Sequence, residues 1–589
     1  MSPDKLATDS GAMPDGPVGI PEETTPPEGE PVKVATKGMP MFKANPVKLT
    51  NIDNVTWINE RVSELWKDNG IKPSAAASDG EFIRRAYLDI VGTIPPADNV
   101  GHTDLPAYCT SAGFIKSREK DKKAKLIMWL VNSEEYTKYW SSIWSNLLVG
   151  RRAGRNIDKR ALEKHLRDTF ADNKSWNQMV YELVTATGGS TKESLKAGVP
   201  FNGATNFLLA HMNDGNVPAT AFTTRLFLGV QVQCTQCHDH PFNDRKQESF
   251  WGINAFLQKM NKEDFIDRSD TGQRIFLFSE LRDEPVEENS DLFVRYDKRS
   301  ALVEVTPPAW IDGKTKVIEP TSGMNLRERL AQLIVAEDNP YFAQAIVNRM
   351  WAHFLGRGIV HPLDDLGEHN PPSNPELLEK LSSNFRESNY DLKRLITWIT
   401  MSLPYSLSSQ TNKSNKEDDA LFSHYPLKQM SPEQFFDSLM VASQANEVGA
   451  KGWEQADKMR GQLLGQFTTV FNNDENAEAD SFNGTIPQAL LLMNGELIAK
   501  ATSKEKGSFL RERVDDILKN KARAKNLEQA LLDDLYIAAV SRRPNQKERT
   551  TAGQLLQITL AKSKDKDPIE AYQDIFWALL NSSEFVLNH

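Results

Sequence analysis

Two of the chain's three cysteines lie in Cys234-Thr235-Gln236-Cys237-His238. Two thiols separated by two residues can reach the two vinyl groups of a haem and form thioethers. The adjacent imidazole of His238 can then serve as the axial iron ligand. The same neighbourhood supports other chemistry. Cys234, Cys237 and His240 read as Cys-x-x-Cys-x-x-His, a thiolate and imidazole set that suits zinc or iron. His238, or the more distant His211, would complete four ligands. A redox or structural disulfide between Cys234 and Cys237 is a third reading, and a pair of inert buried thiols a fourth. Pro241 biases His240 away from helical geometry. A haem motif here must therefore sit at a helix end or in a loop.

Candidates for a distal haem ligand near the motif are His211-Met212, Met260 and His165. The apolar run Leu226-Phe227-Leu228 before the motif, and Phe250-Trp251 with Phe256 after it, can supply a dry wall for a pocket. Asp364, Asp365, Glu368 and His369 cluster before Pro371-Pro372. They read as a solvated loop rather than a cation site. Asn472, Asp474, Asn476, Glu478 and Asp480 alternate in an acidic stretch that lacks the EF-hand glycine and closing Glu. Cys109 stands apart from the other two thiols, with only His102 as a ligand-type neighbour. No Gly-x-Ser-x-Gly, phosphate-binding Gly-Lys-Ser/Thr or His-Glu-x-x-His motif occurs. An enzyme reading thus has no nucleophile or acid–base motif behind it.

The elements that must position these residues are helical. From Asn54, Val55, Ile58, Val62 and Leu65 recur at the spacing of one helix face. Phe82, Ala86, Leu88 and Val91 mark a second helix, stopped by Gly92 and Pro95-Pro96. Tyr139, Trp140, Ile143, Trp144 and Leu147 form an aromatic stripe that reads as helix–helix core rather than a ligand platform. Residues 271–320 differ, with short β-like runs at 275–278, 292–294 and 301–305. Helices then resume at 325 and continue to the end. Phe342, Ile346 and Met350 line one of them, which Gly356 closes. On that helix Arg349 and His353 share a face and read as structural. The expected fold is mainly α, with two multi-helix domains joined by a small β-containing insertion. Its parts are a Pro-rich disordered tail at 1–46, a helical domain at 47–270, the insertion at 271–320 and a second helical domain at 321–589.

The chain has 589 residues, with 39% apolar and 25% charged residues and a formal charge of −10. This acidity provides no basic footprint for nucleic acid. No apolar run is long enough for a transmembrane helix, and three cysteines cannot form a disulfide framework. Residues 1–46 hold nine Pro and five Gly, the composition of a tether. The chain as given begins Met-Ser-Pro-Asp with no apolar signal segment. Either the protein is cytoplasmic or its targeting segment is absent from this version.

The segment Phe82-Ile83-Arg84-Arg85-Ala86-Tyr87-Leu88-Asp89-Ile90-Val91-Gly92-Thr93-Ile94-Pro95 resembles the opening of the planctomycete-type cytochrome-like domain. Leu228 to Phe242, around the cysteines, and Phe250 to Phe256 are similar to that domain's signature. The later half resembles the planctomycete-specific domain that accompanies it. The matching segments there are Asn339 to Ala343, Val347 to Gly358, Pro375 to Leu378 and Trp577 to Phe585. The resemblance implies export to the periplasm or cell surface and a cytochrome-like protein. The expectation is one c-type haem on Cys234, Cys237 and His238, for electron transfer or redox sensing with a redox partner protein. The rival is a surface binding or scaffold protein, facing a cell-surface component, whose Cys/His cluster is a structural metal site or disulfide.

Overall fold

The computed structural model describes residues 52–98, 105–241, 243–269, 271–313, 315–317, 321–443, 502–503, 508–562 and 569–589. The Pro-rich segment 1–46, His102 and the acidic stretch 472–480 lie outside the described residues. The fold is mainly α, with a small β-containing region between helical parts.

The first helical part runs α1 (Ile52–Asp68), α2 (Asp79–Val91), α3 (Ser111–Lys116), α4 (Lys122–Val131), α5 (Glu134–Val149), α6 (Lys159–Ala171), α7 (Trp176–Thr185), α8 (Thr205–Leu209), α9 (Val217–Leu228) and α10 (Gln247–Ala255). Strand β1 (Gly188–Gly189) pairs antiparallel with β3 (Arg274–Asp283), which pairs antiparallel with β2 (Met260–Arg268). A hairpin of β4 (Val294–Asp297) and β5 (Val303–Thr306) follows. Then come α11 (Leu326–Ile334), α12 (Pro340–Leu355), α13 (Pro375–Glu387), α14 (Leu392–Thr400), β6 (Lys428–Gln429) and α15 (Pro432–Ala442). Further helices span Phe509–Lys519, Leu527–Val540, Gln546–Lys562 and Ile569–Leu580, and β7 (Leu587–Asn588) pairs with β6.

Helix α2 shows how local chemistry sets an element. Ser78 caps it: its hydroxyl accepts from the Glu81 N–H while the Glu81 carboxylate accepts from the Ser78 N–H. Gly92 ends it at φ 78°, and a Cβ there would fall 2.2 Å from the Tyr139 ring. Only glycine meets both demands. The helix is buried on nearly every side because it lies between two apolar clusters. One gathers Phe82, Trp144, Trp176, Phe227, Phe342, Trp351 and Leu395. It therefore draws residues from both sides of the β region. The other gathers Leu88, Ile94, Phe435, Phe509, Leu535, Phe576 and Phe585.

The aromatic stripe of α5 is core. Trp144 and Trp176 meet at 4.6 Å between ring centroids, and the Trp140 indole N–H donates to the Ile90 carbonyl at 3.2 Å. Three polar residues of α2 are buried with the apolar ones. Asp89 receives the hydroxyls of Tyr405 and Tyr425 at 3.0 and 2.8 Å, and Lys428 Nζ and Asn588 Nδ2 at 2.7 Å each. Arg85 donates to the Tyr405 and Leu407 carbonyls and lies 3.6 Å from the Tyr425 ring centroid. Arg84 donates to the carbonyls of Ala539 and Phe585. His353 of α12 packs against Trp140 and donates its Nε2–H to the Asp89 carbonyl at 3.0 Å.

Cys109 is buried, and burial pushes its thiol up to about 12. Cys234 and Cys237 are exposed. In haem-free protein, iodoacetamide in native buffer is therefore expected to label Cys234 and Cys237, with Cys109 reacting only after unfolding, since the thiolate is the nucleophile. Peptide mapping that found Cys109 labelled as fast as the other two would contradict this placement.

Candidate functional site

Helix α9 delivers the cysteine segment. It ends at Gly229, φ 62°, where a Cβ would fall 2.8 Å from Leu366 Cδ1. The Gly229 carbonyl accepts the Leu366 N–H at 2.9 Å, and Val230 forms a β-bridge with Asp365. The chain then makes a short 3-10 turn over Gln233–Gln236, which carries Cys234. Cys237 and His238 follow in the loop beyond it. The motif thus stands in a turn and loop, as Pro241 requires. Thr235 anchors the turn: it is buried, and its hydroxyl donates to the Val232 carbonyl at 2.6 Å.

The start of α10 holds the other side. Gln247 Nε2 donates to the Gln236 carbonyl at 3.0 Å and to the Asp297 carbonyl at 2.9 Å. The Trp251 indole N–H also reaches the Gln236 carbonyl, at 3.1 Å, and its ring stacks on Tyr296 of the hairpin at 5.9 Å. The Asp239 carboxylate accepts the Gln247 N–H at 2.9 Å. That bond, with Lys246 beside it, holds the carboxyl below its ordinary range.

His238 Nδ1 lies 2.6 Å from the Asp239 carbonyl oxygen. A carbonyl can only accept, so Nδ1 carries the proton and the Nε2 lone pair is the one available to a metal. His240 donates its backbone N–H to the Arg245 carbonyl at 2.9 Å, and its ring lies 6.0 Å from that of His369. Burial, then the Arg245 guanidinium, then His369 push His240 below its ordinary value. His369 in turn meets Asp365 through Nε2 at 2.8 Å.

The other sequence candidates are placed elsewhere or already engaged. His211 is buried against Phe222, at 3.9 Å between stacked rings, and its Nε2–H donates to the Leu148 carbonyl at 2.7 Å. Burial lowers its pKa. Met260 opens β2 within the core, and His165 lies on α6. Of the apolar runs expected to wall a pocket, Trp251 lies against the cysteine turn and the others are spent otherwise. Leu226, Phe227, Leu228, Phe250 and Phe256 pack into the core, because a helix flanking the turn buries its apolar face inward. Asp364 and Asp365 face different partners: Asp364 pairs with Arg349, Asp365 with His369. Among the described residues, no three or more His, Cys, Asp or Glu side chains are gathered to hold one metal ion, and all three cysteines are free.

A family model described as PSCyt2, protein of unknown function (DUF1549), matches residues 57–262. A second, PSD1, protein of unknown function (DUF1553), matches residues 326–475. The chain carries the planctomycete cytochrome-like domain followed by the planctomycete-specific domain. No curated protein and no solved structure matches it. The cytochrome-like domain supplies Cys234, Cys237, His238, His240 and Arg245, and the planctomycete-specific domain supplies Asp365, Leu366 and His369. Arg245 joins them, its Nη2 donating to the Leu366 carbonyl at 2.7 Å. Gln247, Arg245 and the meeting of His240 with His369 are what sequence reasoning missed. The only available signal was the Asp364–His369 cluster, read as solvated loop. Among the described residues no helix is long and apolar enough to cross a membrane.

Proposed function

We propose that this is an exported cytochrome-like protein that carries one c-type haem for electron transfer or redox sensing. Cys234 and Cys237 are the attachment thiols and His238 the axial ligand. The observation that carries this reading is the donor set itself. Two exposed, unpaired thiols stand within and directly after one turn, and the neighbouring imidazole has its Nδ1–H committed to the Asp239 carbonyl. A backbone carbonyl on one ring nitrogen fixes the tautomer and orients the other toward a metal. The residues therefore fit the group. When bound, the haem iron supplies one-electron exchange. The chain's own part is to hold the turn rigid: Thr235 from within, Gln247 and Trp251 from α10.

The test is protein recovered from a host that exports it, since haem attachment depends on the exported maturation machinery. The expected result is a haem-sized mass increment on the peptide holding Cys234 and Cys237, with visible absorption. Cys237→Ser should leave at most one thioether, and His238→Ala should shift the spectrum. Wild-type exported protein with neither the mass increment nor visible absorption would overturn the reading. One equivalent of zinc or iron in such protein would reassign the cluster to a structural metal site.

A further inference from the structure

We propose that the loop following the Cys-x-x-Cys-His segment binds a carboxylate through Arg245 and Asn243, beside His240 and His369. In the haem-bearing protein that carboxylate is a haem propionate, a step that rests on the haem reading above.

The argument begins with two donors. The Asn243 side-chain oxygen accepts the Arg245 backbone N–H at 3.1 Å, which fixes its amide nitrogen as the opposite end. That Nδ2 is shut off from solvent and has no hydrogen-bond partner. Arg245 spends Nη2 on the Leu366 carbonyl at 2.7 Å, and its Nη1 is likewise shut off without a partner. A guanidinium cannot relieve itself by losing a proton. A buried donor left without an acceptor costs about 1–3 kcal/mol, and more when charged. Two such donors, two residues apart in one turn, call for an acceptor that the chain itself does not provide.

The chemistry of that acceptor follows from the donors. A guanidinium repels cations, so a metal is excluded as the direct occupant. A charged guanidinium N–H together with an amide N–H suits a carboxylate. The chain's own carboxylates nearby are engaged elsewhere. Asp365 meets His369, Asp364 pairs with Arg349, and Asp239 accepts from Gln247 and pairs with Lys246. Asp244, between the two donors, is exposed. The loop starts directly after the axial ligand candidate, and the propionates are the anionic groups of a haem.

The experiment compares exported wild-type protein with Arg245→Gln and Asn243→Asp. Asn243→Asp is isosteric and keeps the acceptor for the Arg245 N–H while turning the donor into a negative charge. It therefore answers the question even if Arg245→Gln fails to fold. With haem attached in all three, both variants should show a lower midpoint potential, because losing a positive charge or gaining a negative one beside a propionate favours the ferric state. Potentials equal to wild type would overturn the site while the haem reading stood. If the exported wild type carries no haem, the haem reading has failed, and the site is judged on that haem-free protein with succinate as the probe. Saturable thermal stabilisation by succinate, weakened at least about tenfold in Asn243→Asp, keeps the carboxylate site. Absence of any succinate effect on the wild type overturns it.

Discussion

Asp89→Ala is expected to be among the most damaging single substitutions in this protein. The wild-type carboxylate, 2% exposed, accepts four hydrogen bonds, from Tyr405, Tyr425, Lys428 and Asn588. Removing it takes that acceptor from two hydroxyls and an amide in the interior and leaves the Lys428 ammonium without its counter-charge, with only the His353 and Phe354 carbonyls to accept from it. Breaking a buried ion pair from one side costs about 3–5 kcal/mol, and each abandoned polar group adds about 1–3 kcal/mol. Native domains hold only about 5–15 kcal/mol in total, so the variant should fold poorly or melt far below wild type. Asp89→Asn keeps shape and acceptor and should lose less. Adding Lys428→Met to Asp89→Asn should recover part of the loss, because the stranded cation is then gone. A thermal midpoint for Asp89→Ala within a few degrees of wild type would show that the network is not what joins these elements.

What that network joins explains its size. Asp89 is on α2, Lys428 on β6 and Asn588 on β7, with Tyr405 and Tyr425 in the segment between α14 and β6. The Lys428 ammonium also donates to the His353 carbonyl at the end of α12, at 2.8 Å. Pieces distant in sequence close around one charge. A hydrophobic core alone could tolerate slippage among them; a satisfied buried polar cluster specifies one arrangement.

This cluster also marks where sequence reading stops. Phe82, Ala86, Leu88 and Val91 announce α2 as a helix with one apolar face, and that helix exists. The pattern names no partner for Arg84, Arg85 and Asp89, yet all three are buried: Arg84 reaches Ala539 and Phe585 of the second apolar cluster, and Arg85 and Asp89 meet Tyr405 and Tyr425 of the first. Periodicity reports a residue's polarity and not the partner that satisfies it. Strand β2 escapes for a related reason. Met260–Arg268 is mostly polar and largely exposed, so no alternation reveals it, and its partner β3 supplies the signal it lacks. The C-terminal strand β7 is too short to register against the helices around it. At the site, Cys234, Cys237 and His238 were legible because their chemistry is local, a spacing within one turn. His240 with His369, and Arg245 with Leu366, were not. Those contacts cross between the two domains, and no local pattern encodes them.

His353 should give the fold a distinct acid sensitivity. Its ring packs against Trp140 at 4.9 Å and donates to the Asp89 carbonyl. Burial first, then the Lys428 ammonium, push its pKa from 6.5 down to about 4. The unfolded chain therefore takes up a proton near pH 6.5 that the folded chain refuses until about pH 4. Stability from this group is intact above the unfolded value and is lost as pH falls from there to the folded value. A displacement of that size corresponds to up to about 3 kcal/mol. His353→Gln keeps a donor for the Asp89 carbonyl and removes the titration. At about pH 7 it should cost about 1 kcal/mol or less, as for a conserved hydrogen bond. Between about pH 6.5 and 4 its urea midpoint should fall more gently than that of wild type, so that the two curves converge or cross. Other buried imidazoles, such as His211, are common to both proteins and cancel in the comparison. Midpoints that run parallel for the two proteins across that interval would mean that His353 takes up its proton at an ordinary pH, and hence that the wedge between Trp140 and Lys428 admits a charge.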